Sequence, residues 1–448
     1  MKTSHRRHDS NLILKPISRR GSDSRHKETC TTPLSHDWGT SVPEGLKAQL
    51  EVERTAERLL RSFSLAPILA DLVRTPQRRR RAVCFVFTGS GAQWFSMGRE
   101  LLAYEVFRTS LETSERLLEE MGCEWSLMEE MFFSQRPRID EPSIFQPACT
   151  ALQLALADLL DSWSVKPSVV VGHSSGEIAA AYVKRAISRR SALKIAFARG
   201  LVSDRITKTG GMHAVALGEE EVEPLISDVQ QDGSYVVVGC DNSPESVTIS
   251  GDLDALAKAQ HLLEQRKVFN RRVRVKNAYH TVHVDEVADE YLEAMGELSA
   301  GKGKGEERGV EMFSSVTGEE IGCSRLREPE YWLSNLKEQV KFREAMDCVL
   351  DYATRSNSSS SSSIINNNNN NSIRRETSLM VTEIGPHPAL ESAIQQTFNY
   401  SENKEKTHLI YTSMLSRNES GVRMTLETML QYFQGGYYLP SSAVEHHL

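Results

Sequence analysis

The chain has 448 residues, of which 39% are hydrophobic and 25% charged, with a formal net charge of −7. That length allows roughly two or three domains of about 150 residues each. The acidic balance gives no support to a nucleic-acid binder, and no apolar run approaches the roughly 20 residues of a membrane-spanning helix. Seven cysteines without a CxxC pair suit a reducing, cytoplasmic setting better than a disulfide framework, and the N-terminus lacks the apolar core of a secretory signal.

In chain order, residues 1–45 are rich in Ser, Arg and His and poor in apolar periodicity, which predicts a disordered basic tail. A transit peptide is the second reading, weakened by the lack of an amphipathic stripe. Residues 46–81 carry a helical pattern (LEVERTAERLL, then APILADLV) that closes on the basic run Arg78–Arg81, read as a solvated edge. Cys84–Thr88 (CFVFT) reads as a buried strand and Pro147–Trp163 as a helix. Val169–Val171 is a second strand, and Ser191–Val202 another helix. Strands alternating with helices predict a mainly parallel sheet covered on both faces.

From about residue 211 to 276 the pattern changes. Met212–Leu217 reads as strand, Glu219–Gln230 as helix, Ser234–Gly239 and Val247–Ser250 as strands, Leu253–Gln265 as helix and Arg271–Val275 as strand. That βαββαβ order predicts a ferredoxin-like insert. Farther on, SNSSSSSSIINNNNNN (Ser356–Asn371) cannot bury enough apolar surface to offset its ordering entropy, so about 355–375 is expected to be a disordered insertion. Residues 439–448 form a tail.

Chemistry concentrates in VVVGHSSGEIAAAYV, Val169–Val183. G-x-S-x-G between a strand and a helix is a nucleophile elbow. Gly172 and Gly176 let strand and helix approach while Ser174 takes strained backbone, and the Ser175 amide follows at the start of the helix, where free N–H groups favour negative charge. Serine needs a base, and histidine is the usual one. His280 in NAYHTVHV is the first candidate because it follows the insert where a cleft must lie. His283 is second, and His387 in EIGPHPAL third. A metal pair at His280 and His283 lacks supporting acidic or thiol ligands. A second oxyanion donor is expected from FTGSGAQ, at the amide of Ser90. As a phosphate loop that stretch lacks the P-loop lysine. Arg199, in ALKIAFARG, offers a fork for a substrate carboxylate. From spacing alone, an arginine bonding helix-end carbonyls is an equal reading.

With these residues in place, the chain resembles the acyltransferase domain of polyketide synthases, especially the fungal iterative type. It is also similar to malonyl-CoA:acyl-carrier-protein transacylases. GHSSGEIAAAY, FTGSGAQW, FQPACTALQLAL, FARG and NAYH carry the resemblance, with DNSPESVTISG, YWLSNL, EIGPHPAL and YTSML as structural signatures. It implies an α/β fold with a serine-hydrolase-like parallel-sheet large subdomain and an inserted ferredoxin-like small one. The acyltransferase domain would span 82–438, preceded by a shortened linker-like segment over 46–81.

The resemblance also implies roles. Ser174 and His280 would form a dyad, the histidine oriented by a backbone carbonyl. Ser90 and Ser175 would form the oxyanion hole, and Arg199, Gln146 and His173 would bind substrate; Arg199 is thereby assigned to the carboxylate. No metal or bound cofactor is implied. The substrate would be malonyl-CoA, with Asn277-Ala278-Tyr279-His280 nearer the malonyl type, and the acceptor the phosphopantetheine of an acyl carrier protein. A ketosynthase or larger synthase would be a further partner, with no nucleic acid or membrane involved. Gly89-Ser90-Gly91 replaces the usual GQG, which removes a supporting side chain. Gln339 stands where a proline is common. No ketosynthase cysteine motif, carrier serine motif or reductase fingerprint is present, so the expectation is a discrete acyltransferase or a fragment of a larger synthase. Two rivals remain: a serine hydrolase or thioesterase of the α/β-hydrolase class, and a catalytically weak acyltransferase-like docking module.

Overall fold

A computed structural model of the chain describes residues 81–231, 233–301, 309–358, 377–435 and 437. The tail over 1–45, nearly all of the segment over 46–81, most of the Ser/Asn-rich insertion and the stretch from 438 onward lie outside the described residues.

The body begins with β1 (Arg81–Phe87), α1 (Glu105–Glu120) and α2 (Pro142–Ser162), followed by β2 (Val169–Gly172), α3 (Glu177–Val183) and α4 (Arg189–Ser203). The small subdomain follows as β3 (Gly210–Val215), α5 (Glu219–Gln230), β4 (Val236–Ser243), β5 (Ser246–Asp252), α6 (Leu253–Gln265) and β6 (Asn270–Arg272). The chain then returns through α7 (Ala288–Met295), β7 (Glu311–Phe313), α8 (Pro329–Lys337), β8 (Val340–Lys341) and α9 (Phe342–Ser358). It closes with β9 (Thr377–Ile384), α10 (Glu391–Tyr400), β10 (Thr407–Ser413) and α11 (Gly421–Gln434).

The large sheet has the order β10-β9-β1-β2-β7, and every pairing in it is parallel. Ala82, Val83, Cys84, Phe85, Val86 and Phe87 are all buried. Successive strand residues point to opposite faces, so both faces of the central strand are covered, as a parallel sheet requires. The helix α2 meets the sequence reading only in part. It starts at Pro142, with Pro147 inside it, because one proline at the first helical position is tolerated and a second near the start costs a single backbone bond. It is also long and apolar enough to cross a membrane, contrary to the sequence reading, but 89% of its most apolar window is buried in the body.

The second sheet has the order β6-β3-β5-β4-β8. Its first four strands pair antiparallel, the ferredoxin-like arrangement. Val215, Val236, Val247 and Ile249 pack with Val222, Leu225, Leu256 and Leu263 of the two helices into one core. Helices thus cover one face, and the alternate residues, among them Asn242, Thr248 and Ser250, fall on the other. The last strand ends at Arg272, three residues short of the predicted end. The two-residue strand β8 joins β4 in parallel, Cys240 opposite Val340, and was not foreseen.

Candidate active site

The elbow closes on β1. A Cβ on Gly172 would lie 2.1 Å from the Glu177 nitrogen, and one on Gly176 would lie 2.2 Å from the Phe87 carbonyl oxygen. No side chain fits at either place. Between them Ser174 takes φ of +52°, a left-handed conformation that costs a non-glycine residue on the order of 1–3 kcal/mol. His280 shares this property at φ of +61°.

The two side chains meet. Ser174 Oγ lies 2.8 Å from His280 Nε2, and His280 Nδ1 lies 2.9 Å from the Glu338 carbonyl oxygen. A carbonyl only accepts, so Nδ1 carries the proton and Nε2 is left to accept from the serine hydroxyl. Glu338 caps the C-terminus of α8, where unsatisfied carbonyls favour positive charge. The His280 amide donates to the Leu336 carbonyl at 3.1 Å, so one helix end grips both backbone and ring. Burial, with the Arg199 charge second, pulls the imidazole from its usual 6.5 down to about 3.

Arg199, on α4, is 1% exposed. Its Nη2 donates to Ser174 Oγ at 3.1 Å, and its Nη1 to Asn335 Oδ1 at 2.7 Å. The Ser174 oxygen therefore accepts from an arginine while donating to a histidine. This arrangement can deliver the oxygen to an acyl carbon, with a base to take the proton and a cation beside the attached group.

The other predicted residues surround this centre. Ser90 Oγ lies 3.2 Å from Ser175 Oγ and accepts from Gln146 Nε2 at 3.1 Å. The hydroxyl at Ser90 thus takes over the support expected to be missing from the Gly89-Ser90-Gly91 loop. Gln146 acts on that loop and not on Ser174. His173 Nε2 lies 2.8 Å from Asn242 Oδ1 of β4, and its ring packs on Phe342 with centroids 5.4 Å apart; it joins the two subdomains beside the site.

The alternative bases lie elsewhere. His283 Nε2 lies 2.9 Å from Asp252 Oδ1. His387 Nδ1 accepts from the Arg417 amide at 3.2 Å. Among the described residues no cluster of His, Cys, Asp and Glu could hold a metal.

Sequence reasoning gave no role to a buried network behind the serine. Asn335 Nδ2 donates to the Ser174 carbonyl oxygen and to Glu177 Oε2, both at 3.0 Å. Glu177, fully buried, also accepts from Tyr331 Oη at 2.5 Å and from the Ser315 amide. Burial pushes its carboxyl up to about 7 despite these donors. In sequence, Asn335 sits in a mixed helix that also carries Glu330, Ser334 and Lys337, and Glu177 opens the apolar EIAAAYV.

Residues 84–357 match the profile of the acyl transferase domain family. The chain belongs to this family. The acyltransferase is 39% identical over 379 residues to the reducing polyketide synthase FUB1 of Gibberella moniliformis, covering 84% of this chain and 15% of that protein. It is 36% identical over 458 residues to the highly reducing polyketide synthase ltbA of Aspergillus luteorubrus, covering 99% of this chain and 13% of the relative. The chain therefore spans about a seventh of the length of these curated relatives. Among solved structures, the acyltransferase domain from module 8 of the salinomycin polyketide synthase superposes with a TM-score of 0.68 at 28% identity, over 81% of this chain and 77% of that one. The malonyl CoA-acyl carrier protein transacylase from Clostridium perfringens gives a TM-score of 0.61 at 21% identity over 80% of this chain and all of that one, a likeness of fold.

Proposed function

We propose that this acyltransferase moves a malonyl group from coenzyme A, through an ester on Ser174, to the phosphopantetheine thiol of an acyl carrier protein in polyketide biosynthesis. The observation that carries the reading is the double contact at Ser174 Oγ, 2.8 Å from His280 Nε2 and 3.1 Å from Arg199 Nη2. A hydrolase acting on uncharged esters has no use for a buried guanidinium at its nucleophile.

In the first half-reaction His280 takes the Ser174 proton as Oγ attacks the thioester carbonyl. The amides of Ser90 and Ser175 hold the oxyanion, a donor pair of which each member is typically worth about 2.7–4 kcal/mol. The C–S bond then breaks, and the coenzyme A sulfur leaves with the proton from His280. In the second half-reaction the carrier thiol gives its proton to His280, attacks the seryl ester and releases Ser174, which recovers the proton. Arg199 holds the malonyl carboxylate, Gln146 braces the Ser90 loop and His173 walls the site. No step calls for a metal or bound cofactor.

The acyltransferase domain is taken to span 82–438, with the small subdomain over about 211–276, the Ser/Asn insertion over about 355–375 and a linker-like segment over 46–81. It works in the cytoplasm, with a carrier protein and a ketosynthase or larger synthase as partners.

The test is the intact mass of the protein after brief exposure to malonyl-CoA, beside Ser174→Ala and Arg199→Ala. A malonyl adduct is expected on the wild type, absent from Ser174→Ala and diminished in Arg199→Ala. Thiol release without a lasting adduct would mean hydrolysis. Neither adduct nor release would leave a silent docking module.

A further inference from the structure

We propose that Asn335 is a positioning residue that sets the acyl selectivity of this site by fixing which edge of Arg199 faces the substrate. The inference rests on the reading of Arg199 as the holder of the malonyl carboxylate.

A guanidinium has two edges able to meet a carboxylate with two parallel bonds: the end pair Nη1/Nη2 and the side pair Nε/Nη2. Asn335 Oδ1 accepts from Nη1 at 2.7 Å, which engages one nitrogen of the end pair. Nε is buried and forms no well-aligned hydrogen bond, with the Tyr291 hydroxyl beside the guanidinium. Nη2 lies 3.1 Å from Ser174 Oγ. The side pair is therefore the one that Asn335 leaves untouched, and it begins at the oxygen that would carry the acyl group. In a malonyl ester the carboxylate is one methylene from the carbonyl carbon, so it falls within reach of an edge placed there. An acetyl ester has nothing to offer that edge.

The amide of Asn335 has only one orientation available. Its nitrogen donates to the Ser174 carbonyl and to Glu177 Oε2, both at 3.0 Å. Turning it over would set the amide oxygen against both acceptors and its nitrogen against a guanidinium that only donates. Glu177 is itself held by Tyr331 and Ser315, at 2.5 Å to Tyr331 Oη and 3.2 Å to Ser315 Oγ. The chain Glu177–Asn335–Arg199 thus transmits a fixed geometry from the buried carboxylate to the guanidinium, and ties it to the backbone of the nucleophile.

The experiment compares wild type, Asn335→Ala, Asn335→Asp, Arg199→Ala and the Arg199→Ala/Asn335→Ala double variant. Thiol release from malonyl-CoA and from acetyl-CoA is measured for each, with thermal melts alongside. The malonyl-over-acetyl ratio of kcat/KM is expected to fall about tenfold in Asn335→Ala, the scale of one misdirected hydrogen bond. The fall should reside in the KM for malonyl-CoA, with acetyl transfer falling by a smaller factor than malonyl transfer. Asn335→Asp keeps the volume but loses both donors and offsets the Arg199 charge, so its ratio falls as well; it carries the test if the alanine variant melts too low to assay. The double variant should match the ratio of Arg199→Ala alone. Equal loss for both thioesters, or additive effects in the double variant, would reduce Asn335 to a structural brace of the elbow and overturn the proposal. A wild type that never loads malonyl would overturn the functional reading along with it.

Discussion

His280, the proposed base, is kept neutral by its surroundings. Burial and the adjacent Arg199 charge hold its pKa at about 3, below the usual 6.5, so the ring stays ready to accept a proton across the physiological range. The acidic limb of kcat/KM should therefore lie well below pH 6.5. Removing the second cause, in Arg199→Ala, should move that limb upward, which a pH–rate series on the two proteins would register; a wild-type limb near 6.5 would contradict the account. The residues proposed to carry the chemistry were conspicuous in the sequence. Ser174 stood between glycines, His280 followed the insert, and Arg199 sat among alanines. Asn335 and Glu177 were not readable as functional, because a polar residue in a helix has no meaning until the partner it faces is known. The two bond each other across 158 residues of chain.

At the scale of elements, Glu177 ties the start of α3 to α8 and to the loop after β7. Its carboxyl is raised from the usual 4.5 to about 7. The folded state therefore binds this proton more tightly than the unfolded chain does. The associated stability is present in full below about 4.5, declines as pH rises, and is lost through about 7. Glu177→Gln removes that titration, so the fall in melting temperature between pH 5 and pH 8 should be smaller in the variant than in the wild type. Thermal melts across that range check it. Regular elements with strong apolar periodicity were legible from sequence alone: α5 and α6 fall on Glu219–Gln230 and Leu253–Gln265, as predicted. The early start of α2 was hidden by Pro147, which reads as punctuation until its place in the first turns of the helix is seen. The strand β8 has two residues, too few for any pattern, and exists because β4 offers it an edge.

The whole molecule depends on contacts between the sheets. Arg343, at the start of α9, bonds Asp241 of β4 at 2.7 Å, with side chains 38% and 3% exposed. Burial pushes the Asp241 carboxyl up even so. Arg343→Ala would strand that carboxylate and should cost about 2 kcal/mol, below the 3–5 kcal/mol of a fully buried pair because the arginine is partly solvated. The midpoint of denaturant unfolding measures it, and an unchanged midpoint would show the pair to be idle. The division into a parallel body and a ferredoxin-like insert was legible from element order. The seam between them was not, since it is made of single contacts such as His173–Asn242 and Asp241–Arg343.

One short stretch of that seam has a wider consequence. Within six residues the chain offers the Glu338 carbonyl to His280, pairs Val340 with the small sheet, stacks Phe342 on His173 and bonds Arg343 to Asp241. The carbonyl that fixes the imidazole's tautomer and the contacts that fasten the insert to the body thus sit on one run of backbone.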